Sequence, residues 1–114
     1  MPPAVRLITS ELEQLADLRR LAKAAPIDRS RGDELHRCWL PAAGAYVLFG
    51  IEGDARPPRH MLAVACYNGT DPRALLATIL DLWLYVPVGR ALATYRRRDG
   101  YPVAGTVQWT MKPL

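Results

Sequence analysis

The amino-acid sequence predicts an α+β fold, with about three helices packed on a small sheet of three or four strands. Three observations support this class. The chain has 114 residues. A chain of this length buries about two-thirds of its extended surface on folding, which suits one compact domain over 1–114. The composition, 50% hydrophobic and 23% charged, is that of an ordinary globular domain. Segments with helical spacing alternate with apolar segments typical of strands, and no internal repeat is evident.

The first predicted helix begins near Ser10 and ends before Pro26. Residues 10–13, SELE, fit a capping box, in which two side chains satisfy free N–H groups of the first turn. Apolar side chains then recur every three or four positions and form one face of the helix. They are Leu12, Leu15, Leu18, Ala22 and Ala25. Before this helix, residues 5–8 are predicted to form a short strand or an extended lead-in.

A second, shorter helix is predicted over residues 33–39, with Asp33 as its cap and Pro41 as its end. Two strand segments follow, residues 45–51 and 60–67, because both are rich in β-branched or apolar residues and are bounded by turn-forming ones. Each segment is apolar on both of its faces. This pattern is typical of central strands that are covered on two sides, or covered on one side and docked to a partner on the other.

The clearest helix signal covers residues 73–86. Asp71 stands directly before Pro72, which is the preferred order at a helix start. On a helical wheel the apolar residues occupy about 220° of the circumference, while Asp81 lies on a narrow polar stripe beside Thr78. One sheet cannot cover so wide an arc. We therefore expect either a second layer of the same domain or another subunit to cover the remainder.

Residues 88–98 allow two interpretations. Their apolar positions fit helical spacing, which favours a helix ending in three arginines, where cations complement the helix dipole. Asp99-Gly100 is a frequent turn of two-residue hairpins and instead predicts a strand. We favour the helix. The last segment, residues 103–112, alternates apolar and polar residues and predicts a strand with one polar face.

The formal net charge of +4 is concentrated in the second half of the chain. Residues 1–57 carry eight basic and eight acidic side chains, whereas residues 58–114 carry seven basic and three acidic ones. With a pI near 9.4, the chain can attract an anionic partner. The basic cluster is formed by Arg90, Arg96, Arg97 and Arg98. It supports a second hypothesis for function, nucleic-acid binding with Tyr95 or Tyr101 as a stacking surface.

The residue types that hold metals or act as nucleophiles do not form a recognisable motif. His36, Cys38, His60 and Cys66 are the soft ligands available, and none of their spacings is that of a zinc or redox site. On one strand, His60 and Cys66 would lie about 20 Å apart. We therefore predict reduced, buried cysteines, no metal site, no cofactor and no catalytic residue. Glycine-rich phosphate loops and a serine-hydrolase motif are also missing.

We expect a soluble, cytoplasmic protein that does not contact the membrane. The sequence has no apolar run close to the ~20 residues that span a bilayer. It begins MPPAVRLITSELEQ, without the apolar core of a secretory signal.

Two segments resemble known enzymes. YRRRDGYPVAGTVQW, residues 95–109, is similar to the strand, Asp-Gly turn and strand of acyltransferases with acetyltransferase-like folds. Residues 80–90 resemble the opening helix of toxin-activating acyltransferases. That resemblance implies a catalytic histidine just after the helix, but this chain has VPVGR at residues 86–90. The glycine-rich loop that binds pyrophosphate in the acetyltransferases is missing too. The likeness therefore extends to the fold, and a small acyltransferase is the third hypothesis.

The leading hypothesis is a non-enzymatic binding protein of the adaptor or inhibitor type. It would act by contact with another protein or with a second copy of itself, as a homodimer, through helix 73–86 and the neighbouring strand. The wide apolar arc supports this hypothesis, because interface cores are rich in large apolar side chains and poor in charge. The predicted contact residues are Leu76, Leu80, Trp83, Leu84 and Asp81.

Overall fold

The computed structural model describes residues 5–96 and 104–114. The elements in these residues are two α-helices, one short 3-10 helix and five strands. They follow the order α1 (Thr9–Ala24), η1 (Arg29–Arg31), β1 (His36–Leu40), β2 (Ala45–Glu52), β3 (Arg59–Cys66), α2 (Pro72–Trp83), β4 (Tyr85–Arg96) and β5 (Ala104–Pro113). The strands form one antiparallel sheet in the order β1-β2-β3-β5-β4. The predicted α+β class is confirmed, but the numbers of helices and strands differ from those expected.

Helix α1 is joined to the rest of the fold by a buried carboxylate at its start. Glu11 is fully buried. One oxygen accepts the N–H of Ile8 at 3.1 Å, and the other accepts the N–H of Ala43, after β1, at 3.1 Å. Each bond satisfies a backbone donor, and the N–H of Ala43 would otherwise be buried without a partner. The first-turn bond is therefore made by Glu11 and not by the predicted pair of Ser10 and Glu13.

Helix α2 begins as predicted and ends earlier. The Asp71 side chain accepts the N–H of Arg73 at 3.0 Å, and Pro72 occupies the first turn, where its missing N–H costs nothing. The helix ends at Trp83 because Leu84 adopts a left-handed conformation, with φ 59°. That conformation directs the chain straight into β4, so Tyr85 belongs to a strand and is buried there.

Both helices pack on the same face of the sheet, which we call the inner face. Helix α1 lies over β1 and β2, and α2 lies over β3, β5 and β4. Alternate residues of the strands fill the core between helices and sheet. The largest of them are Leu40, Phe49, Leu62, Val64, Val107 and Met111. The intervening residues of each strand form the opposite surface, which we call the outer face.

Two segments predicted as helices are strands. His36–Leu40 pairs with β2 over five residues, and Tyr85–Arg96 pairs with β5 on both sides of a register shift between Val88 and Leu92. Pairing with a neighbouring strand satisfies the backbone of each segment, and this long-range interaction overrides helical spacing. The hairpin interpretation of residues 88–98 is therefore correct for the part that the structure describes. The Asp99-Gly100 turn itself lies outside the described residues.

The second layer expected over α2 is provided partly by the N-terminal segment, residues 5–8. The N–H of Val5 donates to Oγ1 of Thr78 at 3.0 Å. Val5 and Leu7 also pack against the core cluster. This extended segment, the sheet and α1 together bury most of the apolar arc.

The outer face is covered at one end by the segment between α1 and β1. The N–H of Ile27 donates to the carbonyl of Ile51 at 2.8 Å, which continues the sheet beside β2. Gly50 lies below this segment. A Cβ there would come within 2.6 Å of Leu35 Cδ2 and 2.9 Å of Ile27 Cδ1. The close approach explains why glycine occupies this strand position.

Candidate functional site

The predicted contact residues of α2 divide into two groups. Leu76, Leu80 and Trp83 are 0%, 5% and 2% exposed and belong to the core. Asp81 and Leu84 lie at the surface. An interface needs side chains that a partner can reach, so the first three stabilise the fold and are corrected here to core positions.

An apolar surface remains where α2 ends beside α1, and we call it the helix-end patch. It consists of Leu12, Leu82 and Leu84, of which Leu82 is 45% and Leu84 64% exposed. Leu12 and Leu82 line the same groove between the two helices, with a volume of about 270 Å³. A soluble surface exposes single leucines routinely, but a group of them beside a groove is typical of an interaction site.

Charged groups of both signs surround the helix-end patch. Arg19 and Arg20 line its groove. Arg19 also lies over the ring of Tyr85, with its guanidinium carbon 5.3 Å from the centroid, and Arg20 forms an ion pair with Asp17. Asp81 is exposed on the last turn of α2. The patch therefore has an apolar centre with basic and acidic groups at its rim, which is the usual arrangement of an interface.

Strand β4 forms one edge of the sheet and adjoins the end of α2. In the described residues it pairs with β5 alone. Its first half is poorly suited to further pairing, because Pro87 lacks an N–H and Gly89, with φ 76°, stands in the irregular stretch. Val88 and Leu92 are nevertheless exposed. In the register Val88 and Leu92 stand opposite Thr110 and Gln108, which places both on the outer face, away from the helix-end patch.

The structure places part of the predicted basic cluster on β4. Arg90 is exposed in the irregular stretch of the strand. Arg96 is the last residue of β4 and stands opposite Ala104 in the register. Arg97, Arg98 and Tyr101 lie outside the described residues. The described part thus brings Arg90 and Arg96 onto one strand, six positions apart.

Three aromatic side chains that sequence reasoning did not single out form a cluster on the outer face, the outer aromatic cluster. The rings of Trp39 and Tyr46 lie 4.6 Å apart, and Tyr67 lies 6.3 Å and 6.4 Å from them. The guanidinium carbon of Arg37 lies 5.8 Å from the centroid of Tyr46. Arg37 and Trp39 are two positions apart on β1, so both side chains lie on the same face of the sheet. Residues 33–39 were predicted as a helix, and in a helix these two side chains would not share a face.

A shallow groove of about 420 Å³ separates Arg37 from the segment between α1 and β1. Arg29, Asp33 and Glu34 line it together with Leu48 and Gln108. Nearby, Glu52 forms ion pairs with Arg29 at 3.6 Å and Arg59 at 3.8 Å. Charges of both signs are therefore balanced at this end of the outer face.

A second aromatic cluster, the inner aromatic cluster, lies between the sheet and the helices. Phe49 contacts the ring of Trp83 at 4.8 Å, and the ring of His60 lies 5.5 Å from that of Tyr85. Among the described residues, His60 Nδ1 and Trp83 Nε1 are buried without a hydrogen-bond partner. Burial, followed by the charge of Lys23, lowers the pKa of His60. The neutral imidazole is therefore favoured here.

Both cysteines lie in apolar surroundings on the inner face. Burial raises the pKa of Cys38 to about 11. Burial and the nearby Asp71 carboxylate raise the pKa of Cys66 to about 12. A thiol with such a pKa is protonated at neutral pH and is a poor nucleophile. In the described parts of the chain, no three His, Cys, Asp or Glu side chains lie close enough together to hold a metal ion.

Comparison of the chain with protein-family models, with curated proteins and with solved structures gave no match. Within residues 5–96 and 104–114, no helix is long and apolar enough to cross a membrane. The exposed surfaces described above are the helix-end patch, the β4 edge and the outer aromatic cluster.

Proposed function

We propose that this chain is a non-enzymatic binding protein that associates with a second copy of itself through the helix-end patch. The observation that carries the proposal is the exposure of Leu82 and Leu84 at the end of a helix whose other large apolar residues are buried. Burying such side chains against a partner is favourable by about 25 cal/mol for each Å² of apolar surface removed from water.

The charges at the rim favour a second copy over an unrelated partner. A two-fold interface uses the same patch on both subunits, so the patch must be complementary to itself. The helix-end patch meets this requirement, since it has apolar side chains at its centre, Arg19 in its groove, and the exposed Asp81 directly before Leu82 on α2. In a two-fold dimer Asp81 of one copy can approach the arginine of the other.

The raised pKa values of the cysteines argue against nucleophilic catalysis by either thiol. Cys38 and Cys66 would each need to lose a proton that burial holds on the sulfur. Neither thiol borders the helix-end patch or the outer aromatic cluster. The two cysteines therefore serve as small apolar residues of the core.

The oligomeric state of designed variants tests the proposal. Light scattering after size-exclusion chromatography, at high micromolar concentration, should give a dimer for the wild type. Replacing both Leu82 and Leu84 by Asp should give a monomer with an unchanged circular dichroism spectrum, because two carboxylates would be buried in the apolar centre.

Leu21 provides a matched control. It is 49% exposed and also lies on the helical layer, but it is about half a turn around α1 from Leu12. Leu21→Asp should therefore remain dimeric. A monomeric wild type at high micromolar concentration, or equal loss of the dimer in the Leu21 variant, would overturn the proposal.

A further inference from the structure

The outer face carries a row of positions that runs across the sheet from the outer aromatic cluster. In the register, Trp39 stands opposite Tyr46, Tyr46 opposite Ala65, and Ala65 opposite Thr106. The first two residues are aromatic and the next two are small. Tyr67 follows β3 at the same end and closes the cluster. Exposed rings thus stand beside two positions with small side chains.

The three rings are accessible. Trp39 is 40%, Tyr46 38% and Tyr67 43% exposed. The two helices pack on the inner face, and the segment that covers part of the outer face does so near Gly50, at the other end of β2. The outer aromatic cluster is therefore an aromatic surface in contact with solvent, on the opposite side of the sheet from the helix-end patch.

Positive charge accompanies the rings. Arg37 is exposed and lies against Tyr46. In the part of the chain that the structure describes, no carboxylate lies within ion-pair distance of Arg37, whereas Arg29 and Arg59 share Glu52. Asp33 and Glu34 border the groove on the other side of Arg37. Arg29 lines the same groove, so the charges there are balanced, and Arg37 is the cation that lies against the aromatic rings.

We propose that the outer aromatic cluster binds single-stranded nucleic acid, with bases stacked on Trp39, Tyr46 and Tyr67 and a phosphate held by Arg37. Aromatic rings on an open sheet beside a cation suit this ligand, because every base offers a flat face and every linkage a negative charge. A duplex keeps its base faces stacked internally and cannot use the rings. The net charge of +4 brings a polyanion to the surface.

The proposal is independent of self-association, and fluorescence anisotropy tests it with the full chain. The probes are a labelled single-stranded oligonucleotide of mixed sequence, the duplex of the same sequence, and labelled polyglutamate. At low salt the single strand should bind more tightly than the other two. Trp39→Ala and Tyr46→Ala should each weaken its binding about tenfold, while Trp39→Phe and Tyr46→Phe should retain it because the stacking ring remains.

Arg37 supplies a second measurement. Arg37→Ala should lower the slope of log K against log salt by about one, whereas Arg37→Lys should preserve that slope. Four results would overturn the proposal. They are no binding of the single strand at low salt, equal binding of the duplex, binding of polyglutamate as tight as that of the oligonucleotide, and retained affinity in a folded variant that lacks both Trp39 and Tyr46. Tight binding of polyglutamate would indicate an acidic protein partner instead.

Discussion

The two aromatic clusters lie on opposite faces of one sheet and differ in their surroundings more than in their chemistry. Strand β2 contributes to both, with Phe49 in the inner cluster and Tyr46 in the outer one. Phe49 is fully buried under the helices, and Tyr46 is exposed beside Trp39. Successive side chains of a strand point to opposite faces. A separation of three residues therefore places one ring in the core and the other in solvent.

This comparison separates stability from binding within a small domain. The inner cluster removes large apolar surfaces from water, and its rings contribute most of their stabilisation through burial. The outer cluster gains only the contacts among its own rings and with Arg37. Its rings keep their exposed faces available to a ligand. Substitutions in the two clusters should therefore affect different properties of the protein.

The largest expected effect is that of Phe49→Ala. This change removes a fully buried ring that contacts Trp83 at 4.8 Å. The lost transfer free energy and the remaining cavity should lower the free energy of unfolding by about 3–5 kcal/mol. Urea denaturation followed by circular dichroism measures this change.

Tyr46→Ala is the matched control on the same strand. It removes an exposed ring and its two aromatic pairs, with Trp39 and Tyr67, so the free energy of unfolding should fall by only about 1 kcal/mol. Similar losses in the two variants would show that the outer cluster also supports the fold. The distinction between a stabilising face and a binding face would then be wrong.

Gly50→Ala should lower stability less than Phe49→Ala does. The added methyl group would lie 2.6 Å from Leu35 Cδ2 and 2.9 Å from Ile27 Cδ1, so these two side chains must shift. Overpacking of this kind lowers the free energy of unfolding by about 1–3 kcal/mol. Urea denaturation again measures it, and it tests whether the outer face is closed at this end.

Leu35→Ala offers a partial rescue of the same site. In a double-mutant cycle, Gly50→Ala should cost less in the Leu35→Ala background, because one of the two colliding methyl groups is gone. Strictly additive losses would indicate that Leu35 does not cover Gly50.

The sequence predicted correctly those elements whose local signals agree with their tertiary surroundings. The Asp71-Pro72 start of α2 forms as expected, and the segments around β2 and β3 are central strands. The helix predicted over residues 33–39 was wrong. Asp33 and Pro41 resemble the two ends of a helix, but β1 forms because it pairs with β2. Such pairing between distant residues leaves little local signal.

The candidate surfaces were predictable only in part. The arc on α2 correctly indicated a large apolar surface, but not that residues 5–8, α1 and the sheet would bury Leu76, Leu80 and Trp83. The outer aromatic cluster combines residues from β1, β2 and the end of β3, whose proximity follows from the sheet register. Apolar residues on both faces of β2 did indicate that the second face is covered or docked.

The smallest expected effect concerns the pH dependence that His60 gives to the inner cluster. Burial and the charge of Lys23 lower the pKa of His60 in the folded protein, whereas in the unfolded chain it stands near its ordinary value of about 6.5. As the pH falls through that ordinary value, the unfolded chain binds a proton that the folded chain does not. The free energy of unfolding therefore decreases on acidification, until the pH passes below the folded pKa. The decrease is small because His60 is half-buried and water screens its charge.

Urea denaturation at two pH values measures this effect. The urea midpoints at about pH 7.5 and about pH 5.5 should differ less for His60→Gln than for the wild type, and Lys23→Ala should give an intermediate difference. The carboxylates contribute equally to all three proteins, so an equal decrease in the wild type and the His60 variant would show that the imidazole accepts its proton freely inside the inner cluster.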